Sequence, residues 1–193
     1  MIEYIILILL AFLTGALVKY SDYLEDTKKE KNKTKLIILG LFYGILIFLM
    51  VYYFPVVAPL WIGTTLGLIL FGKIDALSHN IGVATALALS IAFAPGFLGW
   101  FLVLFVIVNI VEELTNDYFD KHKLKNKTLR TISTSRPLLE ISAFLVSLII
   151  FEWKIWIAIL FFDIAYQVFT IYENNHPQTR IGKLKKLLKK RRK

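Results

Sequence analysis

The 193-residue chain has no cysteine, only three histidines, and charged residues at just 19%. Without cysteine there are no disulfides, no thiolate nucleophile and no Cys-ligated zinc or iron–sulfur centre. Three histidines leave little for a His-rich metal site. No Gly-rich loop precedes a Lys-Ser or Lys-Thr pair, and neither His-Glu-x-x-His nor Gly-x-Ser-x-Gly occurs. ATPase and hydrolase readings therefore have nothing to stand on. A soluble domain carries about 25% charged and about 45–50% apolar residues. Here the apolar share is 57% and the mean hydropathy +0.64, which excludes a disordered chain, a coiled coil and an ordinary cytosolic enzyme. The apolar residues come in long blocks, the pattern of an all-helical, polytopic membrane bundle.

A membrane helix needs roughly 20 apolar residues, with about 17–25 tolerated. Seven stretches compete: Ile2–Tyr20, Leu36–Phe54, Val56–Gly72, Ile81–Ala94, Phe97–Val111, Leu138–Phe151 and Trp153–Tyr172. The first has no positive charge before it and is long for a signal peptide, so it reads as a retained helix. Cytoplasmic loops retain Lys and Arg. With seven spans and the N-terminus outside, the cytoplasmic segments 19–35, 73–80, 116–136 and the tail hold 22 of the 23 basic residues, leaving only Lys154 outside. Joining 81–111 into one bent span would put six of those cations on the wrong side. The sequence thus predicts a multi-pass cell-membrane protein with a cytoplasmic C-terminus, Ile81–Ala94 being a short span or a re-entrant hairpin.

The two halves resemble each other at an offset of about 95. Asp22-Tyr23-Leu24 matches Asp117-Tyr118-Phe119, Asn32-Lys33-Thr34 matches Asn126-Lys127-Thr128, and Trp61-Ile62-Gly63 matches Trp156-Ile157-Ala158. The expected organisation is one transmembrane domain over 1–173. Repeat 1 covers about 1–77, a connector helix about 80–95, and repeat 2 about 97–173. An odd connector makes such a three-one-three pair of repeats parallel. Residues 174–193 form a basic cytoplasmic tail. Nine cations and no acid lie between Arg180 and Lys193, and the rest of the chain balances at fourteen each. Such a segment binds the anionic leaflet at about 1 kcal/mol per cation near the surface; nucleic acid is not the expected partner.

Charges within spans are costly and mark function by default. Asn109, Glu112, Glu113, Asn116, Asp117 and Asp120 are spaced 3, 1, 3, 1, 3, which sets all six on one helical face. Asp163, Tyr166, Gln167 and Thr170 repeat the 3, 1, 3 spacing in the last span, with Asp163 roughly 13 Å along the helix from Tyr172. Lys19, Asp22, Asp26 and Lys29 share a face in the first, and Lys73, Asp75 and His79 fall in the loop before the fourth. These stripes predict a polar basin open to the cytoplasm. Oxygen-rich carboxylate sites suit Mg²⁺, which shares ligands with substrate phosphates. Lys19, Lys73, Arg130 and Arg136 would meet those phosphates. The bland alternative is that these acids only balance the Lys-rich loops, with Asp163 pairing with Lys19 or Arg136.

The segment 116–141 resembles the UbiA prenyltransferase family. Asn116-Asp117-Tyr118-Phe119-Asp120 matches its Asn-Asp-x-x-Asp motif at a cytoplasmic helix end, and Arg130 and Arg136-Pro137-Leu138 match its basic residue and Arg-Pro-Leu. Asp22 and Asp26 fit the spacing of its second motif. The family has nine spans where seven are expected here, the motif order is reversed, and Leu124 stands where it has a further carboxylate. The resemblance implies an all-helical Mg²⁺-dependent enzyme acting on an isoprenoid or lipid diphosphate. Asp117, Asp120, Asp22 and Asp26 would hold metal. Asn116, Lys73, Arg130, Arg136 and Lys19 would bind substrate, while Glu112 and Asp163 position or deprotonate the acceptor. A second expectation is a small secondary transporter or channel with a proton or cation site at Asp163 and Glu112. The three-one-three arrangement is similar to that of sugar transporters and KDEL receptors, although their Pro-Gln motif occurs only at Pro177-Gln178 in the tail. A third is a non-catalytic membrane subunit whose polar faces bind another chain.

Overall fold

Among the described residues, proline, glycine and polar side chains divide the apolar chain into seven α-helices. In the computed structural model they are α1 (Ile2–Asp22), α2 (Lys33–Tyr53), α3 (Ala58–Phe71), α4 (Leu77–Phe93), α5 (Gly99–Lys121), α6 (Pro137–Ile150) and α7 (Lys154–Asn175). The structure describes residues 1–28, 32–72, 74, 76–96, 99–121 and 137–175, and among them no strand occurs. A π-helical turn, Tyr23–Lys28, extends α1.

The boundaries have local causes. The Asn32 side chain accepts from the Lys35 N–H at the start of α2. Pro55 denies the helical region to Phe54 and ends α2. Gly72 closes α3 in the left-handed conformation, φ 71°, which glycine adopts without steric cost. The α4 N-terminus is satisfied from outside, by Glu25 accepting from the Ser78 N–H at 3.0 Å. Pro95 sets Ala94 extended and stops α4.

Helices α1, taken with the start of its π-helical turn, α2, α5 and α7 supply stretches of 19 to 24 residues long and apolar enough to cross a membrane. The three shorter apolar helices are Pro55–Phe71, taken with its leading 3₁₀ turn, Leu77–Phe93 and Pro137–Ile150. The expected α4, beginning at Ile81, gains a turn at its N-terminus. Ser78, His79 and Asn80 lower the local hydropathy, yet they are helical because their polar groups find partners on the protein.

Three pairs of helices run parallel. Gly15 of α1 meets the backbone of Phe162 on α7, and further along Tyr20 meets Phe169. On α2, Gly40 faces Ser78 and Gly44 faces Gly82 of α4. On α3, Gly63 faces Phe105 and Gly67 faces Asn109 of α5. Gly40/Gly44 and Gly63/Gly67 are both G-x-x-x-G, the spacing that brings helix backbones together in lipid, where packing rather than hydrophobicity drives association. The opposing α4 face is Ser78, Gly82, Ala86 and Ser90, all buried. A methyl group on Gly44 would lie 2.5 Å from the Gly82 carbonyl oxygen, so the close approach requires glycine.

Candidate functional site

At one end of the bundle four helices meet on Asp22. Its Oδ1 lies 2.6 Å from His79 Nε2, and its Oδ2 accepts from the Tyr166 hydroxyl at 2.7 Å. Lys19 Nζ stands 3.8 Å from Oδ2 and 4.9 Å above the Tyr166 ring. The other imidazole nitrogen, Nδ1, is 3.1 Å from the Tyr43 hydroxyl, which also donates to the Ser78 carbonyl at 2.8 Å. Ser21 and Ser78 hydroxyls bond to each other, and Glu25 holds the Ser78 N–H. The network ties α1, α2, α4 and α7 through side chains the sequence scatters over more than 140 residues.

Two of the expected stripes, those of α1 and α7, converge here on Asp22 and Tyr166. Lys19 joins them. His79 enters from the first turn of α4 rather than from a loop. Tyr43, Ser21, Ser78 and Glu25 are additions that the charge pattern does not single out. A signal does exist for Tyr43: it is the one hydroxyl within the apolar run 36–51, between the two glycines of the α4 contact.

The α5 stripe also faces inward. Asn109, Glu112 and Glu113 are buried, and Asn116 and Asp117 are half-buried. Glu112 has a definite task. Its two oxygens accept from the backbone N–H groups of Leu138 at 3.1 Å and Leu139 at 2.8 Å. Pro137 has no N–H to satisfy, so Glu112 caps the opening turn of α6 from a neighbouring helix. That geometry assigns the expected catalytic Glu112 a structural role. Asp163 is buried on α7, next to Phe162, whose ring packs edge-on against Trp61 at 5.3 Å. Gln167, expected on the same inward stripe, is exposed. Lys73, Asp75, Arg130 and Arg136 lie outside the described residues, as do the side chains of Asp26 and Asp120.

The donor set around Asp22 bears on Mg²⁺. A magnesium site keeps carboxylate oxygens open to the ion and its waters. Both oxygens of Asp22 instead receive protein donors, and an ammonium stands beside them. As arranged, Asp22 does not fit a metal ligand. Its surroundings fit a carboxylate that anchors a histidine, a tyrosine and a lysine. Among the described residues, no three His, Asp or Glu side chains group as a metal ion would need.

Among the described residues, buried charge runs from one end of the bundle to its middle. Glu112, Glu113 and the Asp22 network lie toward the C-terminal ends of α1, α5 and α7, and Asp163 lies at the middle of α7. The opposite half is filled by Leu7, Met50, Val57, Leu60, Phe105 and Ile155, each without solvent exposure. Its rim carries Lys154 between Glu3 at 3.2 Å and Glu152 at 3.5 Å. The fold is thus an all-helical bundle with four helices able to cross a membrane and a polar site at one end. No protein-family model, curated protein or solved structure matches the chain.

Proposed function

We propose that the protein is a seven-span membrane protein, N-terminus outside, whose polar site opens only to the cytoplasm and takes the headgroup of an isoprenoid or similar lipid diphosphate, as a prenyltransferase-like enzyme. The observation that carries this reading is the one-sided distribution of buried charge. A carrier needs charged or polar steps through both halves of its path, whereas here the buried charges among the described residues reach only from one end to the middle. A headgroup site needs polarity only at the leaflet it draws from, and the polybasic tail assigns that end to the cytoplasm by the bias of cytoplasmic segments toward Lys and Arg. Lys19 and Asn116 would meet the headgroup. Mg²⁺ enters this proposal through Asp117 and Asp120, one helical turn apart on α5, and not through Asp22. When bound it would offset the charge of the diphosphate.

The helix register supports a three-one-three duplication. Exchanging α1 with α5 and α3 with α7 turns the α3–α5 pair into the α7–α1 pair. Carried by the sequence offset of about 95, the Gly67–Asn109 contact falls at 162 and 14. The α1–α7 contact joins Phe162 to Gly15, one residue away.

Melting of the purified protein with Mg²⁺, geranylgeranyl diphosphate, both, or neither tests the reading. A ligand at one hundred times its dissociation constant stabilises the folded state by about 2.7 kcal/mol. The shift should need both components and vanish in Asp117→Asn. An unchanged shift in that variant removes the metal role, and no shift at all removes the headgroup reading. The burial of Asp163 within α7 favours a second reading, a proton- or cation-linked carrier. It predicts liposome flux that is lost in Asp163→Asn.

A further inference from the structure

Where α3 meets α5, away from the Asp22 network, buried polar groups on both helices have no hydrogen-bond partner. Asn109 has no solvent exposure, yet neither its Oδ1 nor its Nδ2 is paired. Thr64 Oγ1, on α3, is unpaired as well. Thr64 lies three residues before Gly67, which makes the two neighbours on the helix surface. Asn109 packs flat on α3 at Gly67, where an added methyl group would lie 2.7 Å from Oδ1.

Thr64 supplies an independent sign. Thr14, Thr65, Thr85, Thr115 and Thr170 each donate to the carbonyl four residues earlier, at 2.6–2.8 Å. Thr64, equally helical and buried, does not turn back on its own helix. Buried polar groups in native proteins are nearly always paired, with protein or with a bound molecule.

We infer that Asn109 and Thr64 bind a neutral hydroxyl within the bundle. The group set dictates that class. Asn109 Nδ2 can only donate, Asn109 Oδ1 can only accept, and the threonine hydroxyl does either. A cation would face the amide N–H donors, and an anion would face the amide oxygen. A hydroxyl both gives and receives. Its source is an enclosed water or the alcohol head of a membrane-soluble amphiphile. This inference does not depend on the diphosphate reading.

The test melts wild-type protein, Thr64→Val, Asn109→Leu and the double variant in detergent, with 1-dodecanol or with dodecane. Each single variant is expected to melt below wild type. The double variant should melt no lower than the worse single one, because one shared hydroxyl is lost only once. A rise with dodecanol that dodecane does not give, and that both single variants lose, identifies the amphiphile's head as the source. Non-additive losses without such a rise identify water. Additive losses, a variant melting at or above wild type, or a rise specific to Na⁺ over choline would overturn the inference. Should Asn109→Leu not fold, Thr64→Val is set against Thr64→Ser. Serine keeps the hydroxyl and is expected to melt near wild type; equal losses in the two would overturn the inference.

Discussion

Replacing Glu112 by alanine should destabilise the bundle by about 3 kcal/mol. The magnitude follows from what Glu112 holds. Its carboxylate accepts two backbone N–H bonds, at 3.1 and 2.8 Å, in the first turn of α6. Hydrogen bonds to a charged group contribute about 1.5–3 kcal/mol each. Measured inter-helix bonds in membranes average only about 0.6 kcal/mol, because the unfolded chain in lipid also finds partners. Two bonds therefore bracket the loss between roughly 1 and 6 kcal/mol. The value sits well above the lower bound because Glu112 is 2% exposed and Leu139 fully buried, so water cannot replace the acceptor. Glu112→Gln keeps the shape and one acceptor oxygen but turns an NH₂ toward an N–H, and should lose about half as much. Denaturant unfolding in mixed micelles, followed by tryptophan fluorescence, reads both. A Glu112→Ala variant within about 0.5 kcal/mol of wild type would refute the capping argument. So would normal stability combined with lost activity, which would return Glu112 to a chemical role.

Asp22→Asn should weaken the joint of α1, α4 and α7 by about 2 kcal/mol, from its charge-assisted bonds to His79 and Tyr166, whereas Tyr166→Phe should lose about 1 kcal/mol; unfolding curves of the two variants and their double mutant would show it. Gly44→Ala forces a methyl group to 2.5 Å from the Gly82 carbonyl and should cost about 1–3 kcal/mol by overpacking, whereas Gly96→Ala, with open space around the new methyl group, should be near neutral in the same melts. Lys154→Ala removes the rim ion pairs with Glu3 and Glu152, and since Glu3 is largely exposed the change should stay within about 1 kcal/mol and shrink further in high salt.

How much was legible follows from the kind of signal each feature leaves. Long apolar blocks and the prolines at 55, 95 and 137 mark the helices, because lipid and backbone geometry act residue by residue. The stripe also survives from Asn109 to Asp117, since polar positions on one face leave a helix few ways to lie. The first turn of α4 is lost to a hydropathy reading because Ser78 and His79 look like loop residues until Ser21 and Asp22 are brought beside them. The task of Glu112 is invisible for the same reason: its partners are backbone N–H groups 26 and 27 residues away. Asp22 is legible as an important acid, but a sequence motif specifies carboxylates and not which donors fill their lone pairs. The spacing Asp22/Asp26 suggested a metal, and the fold supplies a histidine and a tyrosine instead.

The absence of cysteine makes the central claim directly measurable. A single Asn116→Cys substitution puts the only thiol of the chain on the half-buried end of the α5 stripe. Its rate of reaction with a membrane-impermeant maleimide is compared in inside-out and right-side-out vesicles, with and without geranylgeranyl diphosphate and Mg²⁺. A cytoplasmic headgroup site predicts labelling only from the cytoplasmic face and slowing by the diphosphate lipid. Labelling from the opposite face, or a cytoplasmic rate that the lipid leaves unchanged, would contradict it.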